Sequence, residues 1–345
     1  MHTYTQEVIG GISVKPRLFD HSELIKLCEV PGVSGREERV REKISVMLGV
    51  EKSKLRTDKI GNLIFEKKGL FNEKEVLLMV HMDEIGFYVS SLRADGKLEV
   101  KNVGGIIEET LPGSFVQVFT KNGVFEGVIG AVPPHLKADG VVFEKVVDVG
   151  AKNKDELIEL GIDVMDYVVF RKTYALLNND YLAMRSLDDR FGCFALIEVS
   201  RNVNPHSKVV FAWTVQEEVG LRGAKALANI YNPDLAIAID SFACCSKQNT
   251  HIELGKGPVV RAFDNSSISD YEIIKFIVSL AQKEGIPLQI GATGGGNDAS
   301  VFAEKGVPMV ALSVPVRYLH SQVEIISLTD LYNLIRLLKV FLEVF

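Results

Sequence analysis

Four apolar runs of the sequence each end on side chains that can bind a metal or move a proton. VLLMV (76–80) leads to His81 and Asp83, VVFAWTVQ (209–216) to Glu217 and Glu218, LAIAI (235–239) to Asp240, and MVALSVPVRYL (309–319) to His320. Asp188 and Asp189 stand at the start of a helical pattern, where the helix dipole favours an acid. Singly these are ordinary residues: a surface histidine, a capping acid, a solvated turn. Jointly, imidazole and carboxylate donors placed beyond buried strands form a ligand set suited to Zn²⁺, Co²⁺ or Mn²⁺. The count closes for two ions, with His81 and Asp240 on one, Glu218 and His320 on the other, and Asp188 bridging both. Such a pair brings the pKa of bound water toward about 7 and polarises a carbonyl, which is what amide hydrolysis needs near neutral pH. Neighbours in an extended segment point to opposite sides. Glu218 can therefore bind metal while Glu217 faces the water as general base, a role worth roughly 10²–10⁴ in rate. Asp83, two residues after His81, can hold the second imidazole nitrogen.

The elements that must position these groups follow from periodicity. Asp20 with Glu23, and Ser34 with Glu37, read as capping boxes ahead of LIKLCEV and REERVREKISVML. DKIGNLIFEK (58–67) alternates as a strand, and EVLLMV (75–80) is apolar on both faces, as in a strand covered by helices on each side. From about Gly86 the texture changes to short alternating segments cut by Asp95-Gly96 and Asn122-Gly123, hairpin turns of a β-rich insert that also holds one helix, KNKDELIELG. Helical periodicity resumes with DDRFGCFALIEVSRN, and strands and helices then alternate to the end, which implies parallel strands joined by crossovers. The expected fold is α/β: a discontinuous domain of residues 19–86 and 178–345 with a central mixed, largely parallel sheet, an insert at 87–177, and an N-terminal extension at 1–18. In open α/β sheets the carboxyl ends of the strands line the ligand crevice, so the donors can meet at one rim.

Composition narrows the partners. Over 345 residues, 39 basic and 45 acidic side chains give a net charge of −6, with no basic run to attract nucleic acid or anionic lipid. No apolar stretch approaches the roughly 18 residues of a membrane span. Four cysteines, Cys28, Cys193, Cys244 and Cys245, are too sparse for a disulfide scaffold and lack the spacing of a zinc ribbon or redox pair, and the N-terminus lacks the features of a secretory signal, so a reducing cytoplasm is expected.

HMDEIG (81–86), LDDRFG (187–192), VQEEVGLRGA (215–224), AIDS (238–241) and RYLHS (317–321) resemble, in order, the motifs of the M42 metalloaminopeptidases, the glutamyl and tetrahedral aminopeptidase group of the M20/M28 clan. The resemblance runs from about residue 20 to the C-terminus. It implies a co-catalytic zinc or cobalt exopeptidase acting on short peptides, with a PDZ-like dimerisation insert and dimers assembling into a tetrahedral dodecamer. By motif match, His81, Asp188, Glu218, Asp240 and His320 would be ligands, Glu217 the base and Asp83 the partner behind a ligand, with a cis bond between Asp188 and Asp189. SFACCSKQ (241–248) departs from the usual Asp-Thr-Pro turn of the family, and residues 1–18 extend beyond its usual start.

Other signals weigh less. The loop GATGGGNDAS (291–300) fits neither nucleotide-binding glycine pattern and reads as backbone passing close to a substrate cleft. Cys244-Cys245 reads as packing. His2, His21, His135, His206 and His251 follow no strand-end pattern. Two alternatives stand beside the aminopeptidase: a dinuclear amidohydrolase or deacylase on a non-peptide amide, and an oligomeric binding protein without turnover.

Overall fold

Apolar runs with side chains on two faces need cover on both sides, and in the computed structural model they receive it. The structure describes residues 20–71, 74–244 and 251–345, with the short pairing of Val8–Ile9 and Ile12–Ser13. Beyond that pairing, residues 1–18 and Cys245 lie outside the described residues.

Eight strands form one mixed sheet in the order Gln289–Ala292, Val259–Phe263, Met309–Val316, Leu235–Ala243, Glu75–His81, Lys208–Thr214, Leu63–Lys67, Leu55–Thr57. The central four are mutually parallel, and antiparallel pairs join them to the strands outside. Alternate residues serve different faces, as the period of a strand requires. Leu78, Val80, Phe211, Trp213 and Ile237 pack under the helices Ser22–Cys28, Glu38–Leu48, Leu187–Asn202, Tyr271–Lys283 and Leu328–Val344. Leu77, Met79, Val210, Ala212 and Ala236 face the shorter helices Arg222–Leu227 and Ser300–Ala303. Trp213 is wholly buried and its indole N–H donates to the Cys193 carbonyl at 3.2 Å, so burying its one donor costs little.

Between Gly86 and Phe170 the chain forms a closed six-stranded barrel, Val146–Asp148, Lys97–Val103, Gly86–Leu92, Tyr167–Phe170, Ser114–Thr120 and Gly123–Ile129, shut by the pairing of Asp148 with Val128. The turns at Asp95-Gly96 and Asn122-Gly123 join adjacent strands as expected. Tyr174–Leu177, placed by the sequence at the end of the insert, does not pair with the barrel. It pairs with Tyr181–Met184, which pairs in turn with Glu324–Ser327 in a separate three-stranded sheet. Ser34 and Glu37 do not form a capping box: the helix starts at Glu38 without a side-chain cap, and both side chains are drawn instead toward the site described next. Ser22 N–H donates to Asp20 at 2.9 Å, without the reciprocal half of a box.

No helix among the described residues is long and apolar enough to cross a membrane.

Candidate metal centre

The strand ends deliver their donors to one place because the strands run in register. His81 lies opposite Thr214, and Asp240 opposite Ser313, so residues at and just beyond these positions emerge at the same edge. His81, Asp188 and Asp240 present ligand atoms within 4.8 Å of one another, and so do Asp188, Glu218 and His320. Asp188 is common to both groups. Its Oδ1 is 3.2 Å from His81 Nε2 and its Oδ2 is 3.4 Å from His320 Nε2, while Glu218 Oε1 is 3.4 Å from the same His320 nitrogen. All five sequence-predicted ligands thus converge, and with Glu217 they line one cavity of about 350 Å³. The Asp188-Asp189 bond is cis, as the resemblance implied.

Two expectations need correction. The Glu217–Glu218 segment is not extended: Gln216 has φ +56° and a turn follows, so both carboxylates face the same cavity instead of opposite sides. Asp83 meets the His81 Nδ1 mainly through its backbone carbonyl, at 3.0 Å, with its carboxylate at 3.6 Å. That carboxylate accepts from the Ser34 hydroxyl at 2.6 Å and from the backbone N–H groups of Glu217 and Glu218 at 3.0 and 3.2 Å. Asp83 is therefore a clamp on the acid pair as much as a partner of the histidine. Glu37 extends the clamp, accepting from the Gln216 N–H at 3.1 Å.

Electrostatics follow from burying this much acid. Burial raises the Asp240 carboxyl to about 6, with Arg261 opposing and Asp188 reinforcing the shift. Burial also pushes Glu217 well above its usual range, against the pull of His81 and with the push of Asp240 and Glu218. Burial alone would lower the His320 pKa, but its hydrogen bonds with Asp188 and Glu218 carry it up to about 11. The buried Asp189 Oδ2 and Asp298 Oδ1 have no hydrogen-bond partner. Crowded carboxylates in a poorly solvated site are costly unless cations compensate them. The donor chemistry and the shared aspartate fit two divalent cations.

The remaining walls come from elsewhere in the chain. Thr293 to Gly296 line the cavity, so the glycine loop does lie against the cleft. Arg261 also lines it and binds the Asp264 carboxylate at 3.0 Å and the carbonyls of Ser241 and Gly296. Cys244, a neighbour of this wall, packs against Phe242, Ile252 and Val259. Three contributors escaped sequence reasoning. The Gly105 carbonyl, from the barrel, lies 3.0 Å from His320 Nδ1. Gln322 donates to the Thr110 carbonyl and the Ser114 hydroxyl of the same barrel. Glu324 accepts from the backbone N–H groups of Asp188 and His320, each at 3.2 Å. None has a motif signature, since each acts through or upon the backbone.

The matches of this chain are aminopeptidases, which makes it a hydrolase of that class. The chain belongs to the M42 glutamyl aminopeptidase family, which it matches over residues 61–337. It is 34% identical to the lysyl aminopeptidase of Pyrococcus furiosus, the match covering 94% of this chain and 97% of that one. Against the glutamyl aminopeptidase of Lactococcus lactis the identity is 30%, with 91% and 92% covered. A solved structure of the Pyrococcus horikoshii TET1 peptidase, described as able to assemble into a tetrahedron or a large octahedral shell, superposes with a TM-score of 0.88 at 46% identity. That superposition covers 94% of this chain and 99% of the other.

Proposed function

We propose that this protein removes N-terminal residues from short peptides at a centre of two divalent cations, Zn²⁺, Co²⁺ or Mn²⁺. The observation that carries the reading is the pair of three-residue donor groups sharing Asp188 on the wall of one cavity. His81, Asp188 and Asp240 would hold one ion; Asp188, Glu218 and His320 the other. Bound there, the ions would supply Lewis acidity toward water and the scissile carbonyl.

The chain's own residues do the rest. Glu217 lines the cavity without belonging to either donor group, which leaves its carboxylate to take a proton from the attacking water and deliver it to the leaving amine nitrogen. Asp83 and Glu37 hold the 216–218 turn in place by accepting its backbone N–H groups. Gly105 and the glycine loop Thr293 to Gly296 line the same cavity, beside the donors.

Similarity to the TET1 peptidase supports assembly into a homo-oligomer, which we take to be a tetrahedral dodecamer built from six dimers, with the insert at 87–177 as the PDZ-like dimerisation element. Nothing in charge or composition favours a nucleic acid or a membrane as partner, and we take the location to be cytoplasmic. The deciding experiment is a panel of free aminoacyl anilides against acetylated amines, run on metal-free protein with Zn²⁺, Co²⁺ and Mn²⁺ added in turn. Metal-dependent release from free aminoacyl substrates is expected. Turnover of the acetylated amines alone would replace the peptidase reading with the deacylase one.

A further inference from the structure

The two proposed donor groups share Asp188, and the second adds His320 from a segment 132 residues later in the chain; something must fix the distance between these segments. Neither is held by regular structure. Asp188 sits in non-helical backbone at the head of its helix (φ −74°, ψ 112°), and His320 lies in a loop with φ +61°, beyond Tyr318 at φ +58°. Their N–H groups, buried at Asp188 and partly buried at His320, need acceptors outside any ladder.

One carboxylate supplies both. Glu324 Oε2 accepts from Asp188 N–H and Oε1 from His320 N–H, each at 3.2 Å. Glu324 is wholly buried at the start of the strand Glu324–Ser327, which is pinned by its pairing with Tyr181–Met184, the strand leading into Asp188. Arg185 Nη1, 3.6 Å from Oε1, provides the counter-charge. We propose that Glu324 is the positioning residue that sets the spacing of the two metal-binding groups: a two-pronged acceptor clipping the backbone of the bridging aspartate to that of the distal histidine. It touches neither substrate nor ion. The inference rests on the ligand assignment proposed above.

The test is metal binding, with activity as a second readout. Metal-free wild type, Glu324→Gln and Glu324→Asp are titrated with Zn²⁺ against a competing chelator, and the Co²⁺ absorption spectrum is recorded at saturation. Glu324→Gln keeps one acceptor oxygen but turns an NH₂ group toward the other amide. Glu324→Asp keeps the charge facing Arg185 but is too short to reach both amides, and it carries the test if the glutamine variant does not fold. The expected result is a 10- to 100-fold loss of metal affinity, in the range found when groups orienting ligands are removed. Activity should return as metal is raised, and the Co²⁺ spectrum should be altered. Binding curves and spectra that superpose on wild type, with only a lowered melting temperature, would reduce Glu324 to a structural role and overturn the inference. His320→Ala is the control for the underlying assignment. If it leaves the number of bound ions unchanged, the ligand set is wrong and this inference falls with it.

Discussion

Glu217 is the residue on which turnover should depend most without any effect on metal content. Glu217→Gln keeps the shape of the side chain and removes its basicity, so kcat should fall by about 10²–10⁴ while bound metal, measured by elemental analysis, stays at the wild-type value. Near-full activity in this variant would remove Glu217 from proton transfer. Ser34 offers a gentler probe. Its hydroxyl donates at 2.6 Å to the buried Asp83 carboxylate, and hydrogen bonds to charged groups are worth about 1.5–3 kcal/mol. Ser34→Ala should therefore destabilise the fold by an amount in that range in urea denaturation, and should lower kcat because Asp83 holds the acid pair. Four of the five proposed ligands were readable in the sequence because each lies at or just beyond the end of an apolar run that reads as a buried strand, and Asp188 because it opens a helical pattern. Ser34 and Glu37 were misread because a Ser-x-x-Glu spacing before a helix is the same string whether its groups cap the helix or reach a carboxylate and a turn from distant segments. Glu324 was invisible for another reason: it recognises backbone amides, which every residue carries.

At the scale of elements, the central strands and their helices were predictable from period, and the two hairpins from their Asp-Gly and Asn-Gly turns. The closure of the barrel was not, since it depends on a three-residue strand, Val146–Asp148, pairing with distant segments. Two junctions between elements make predictions. Glu84 is fully buried and faces Lys172, Arg185 and Arg190, groups that tie the barrel's exit to the helices beneath the sheet. Removing one member of a buried ionic cluster leaves uncompensated charge and costs about 3–5 kcal/mol, so Glu84→Ala should show a loss of that size in chemical denaturation. Gly104 has φ +77°, and a Cβ there would sit 2.4 Å from Ile85 Cγ2 and 3.0 Å from Glu218 Oε2. Gly104→Ala should cost about 1–3 kcal/mol in backbone strain and overpacking and should weaken metal binding through Glu218, which a chelator titration would register.

For the whole molecule, prolonged dialysis against a chelator should abolish hydrolysis, and adding back Zn²⁺ or Co²⁺ should restore it. Activity indifferent to metal removal would overturn the dinuclear reading. Ligands must be deprotonated to bind, so the metal concentration needed for half-activity should rise as pH falls. Light scattering on the purified protein checks assembly independently of the chemistry: a mass near twelve chains of 38.1 kDa is expected, and a monomer would refute the shell while leaving the centre intact.

The hydrogen bond between His320 and the Gly105 carbonyl, with Gln322 fastened to Thr110 and Ser114 alongside, bears on how such proteins can be re-engineered. The inserted barrel is not a detachable accessory, because one atom of its rim fixes which nitrogen of a distant imidazole is free. A chimera that grafts a foreign insert at these junctions, or a truncation that closes them with a short linker, would inherit every donor and still lose the imidazole's orientation unless the 104–114 rim travels with the host.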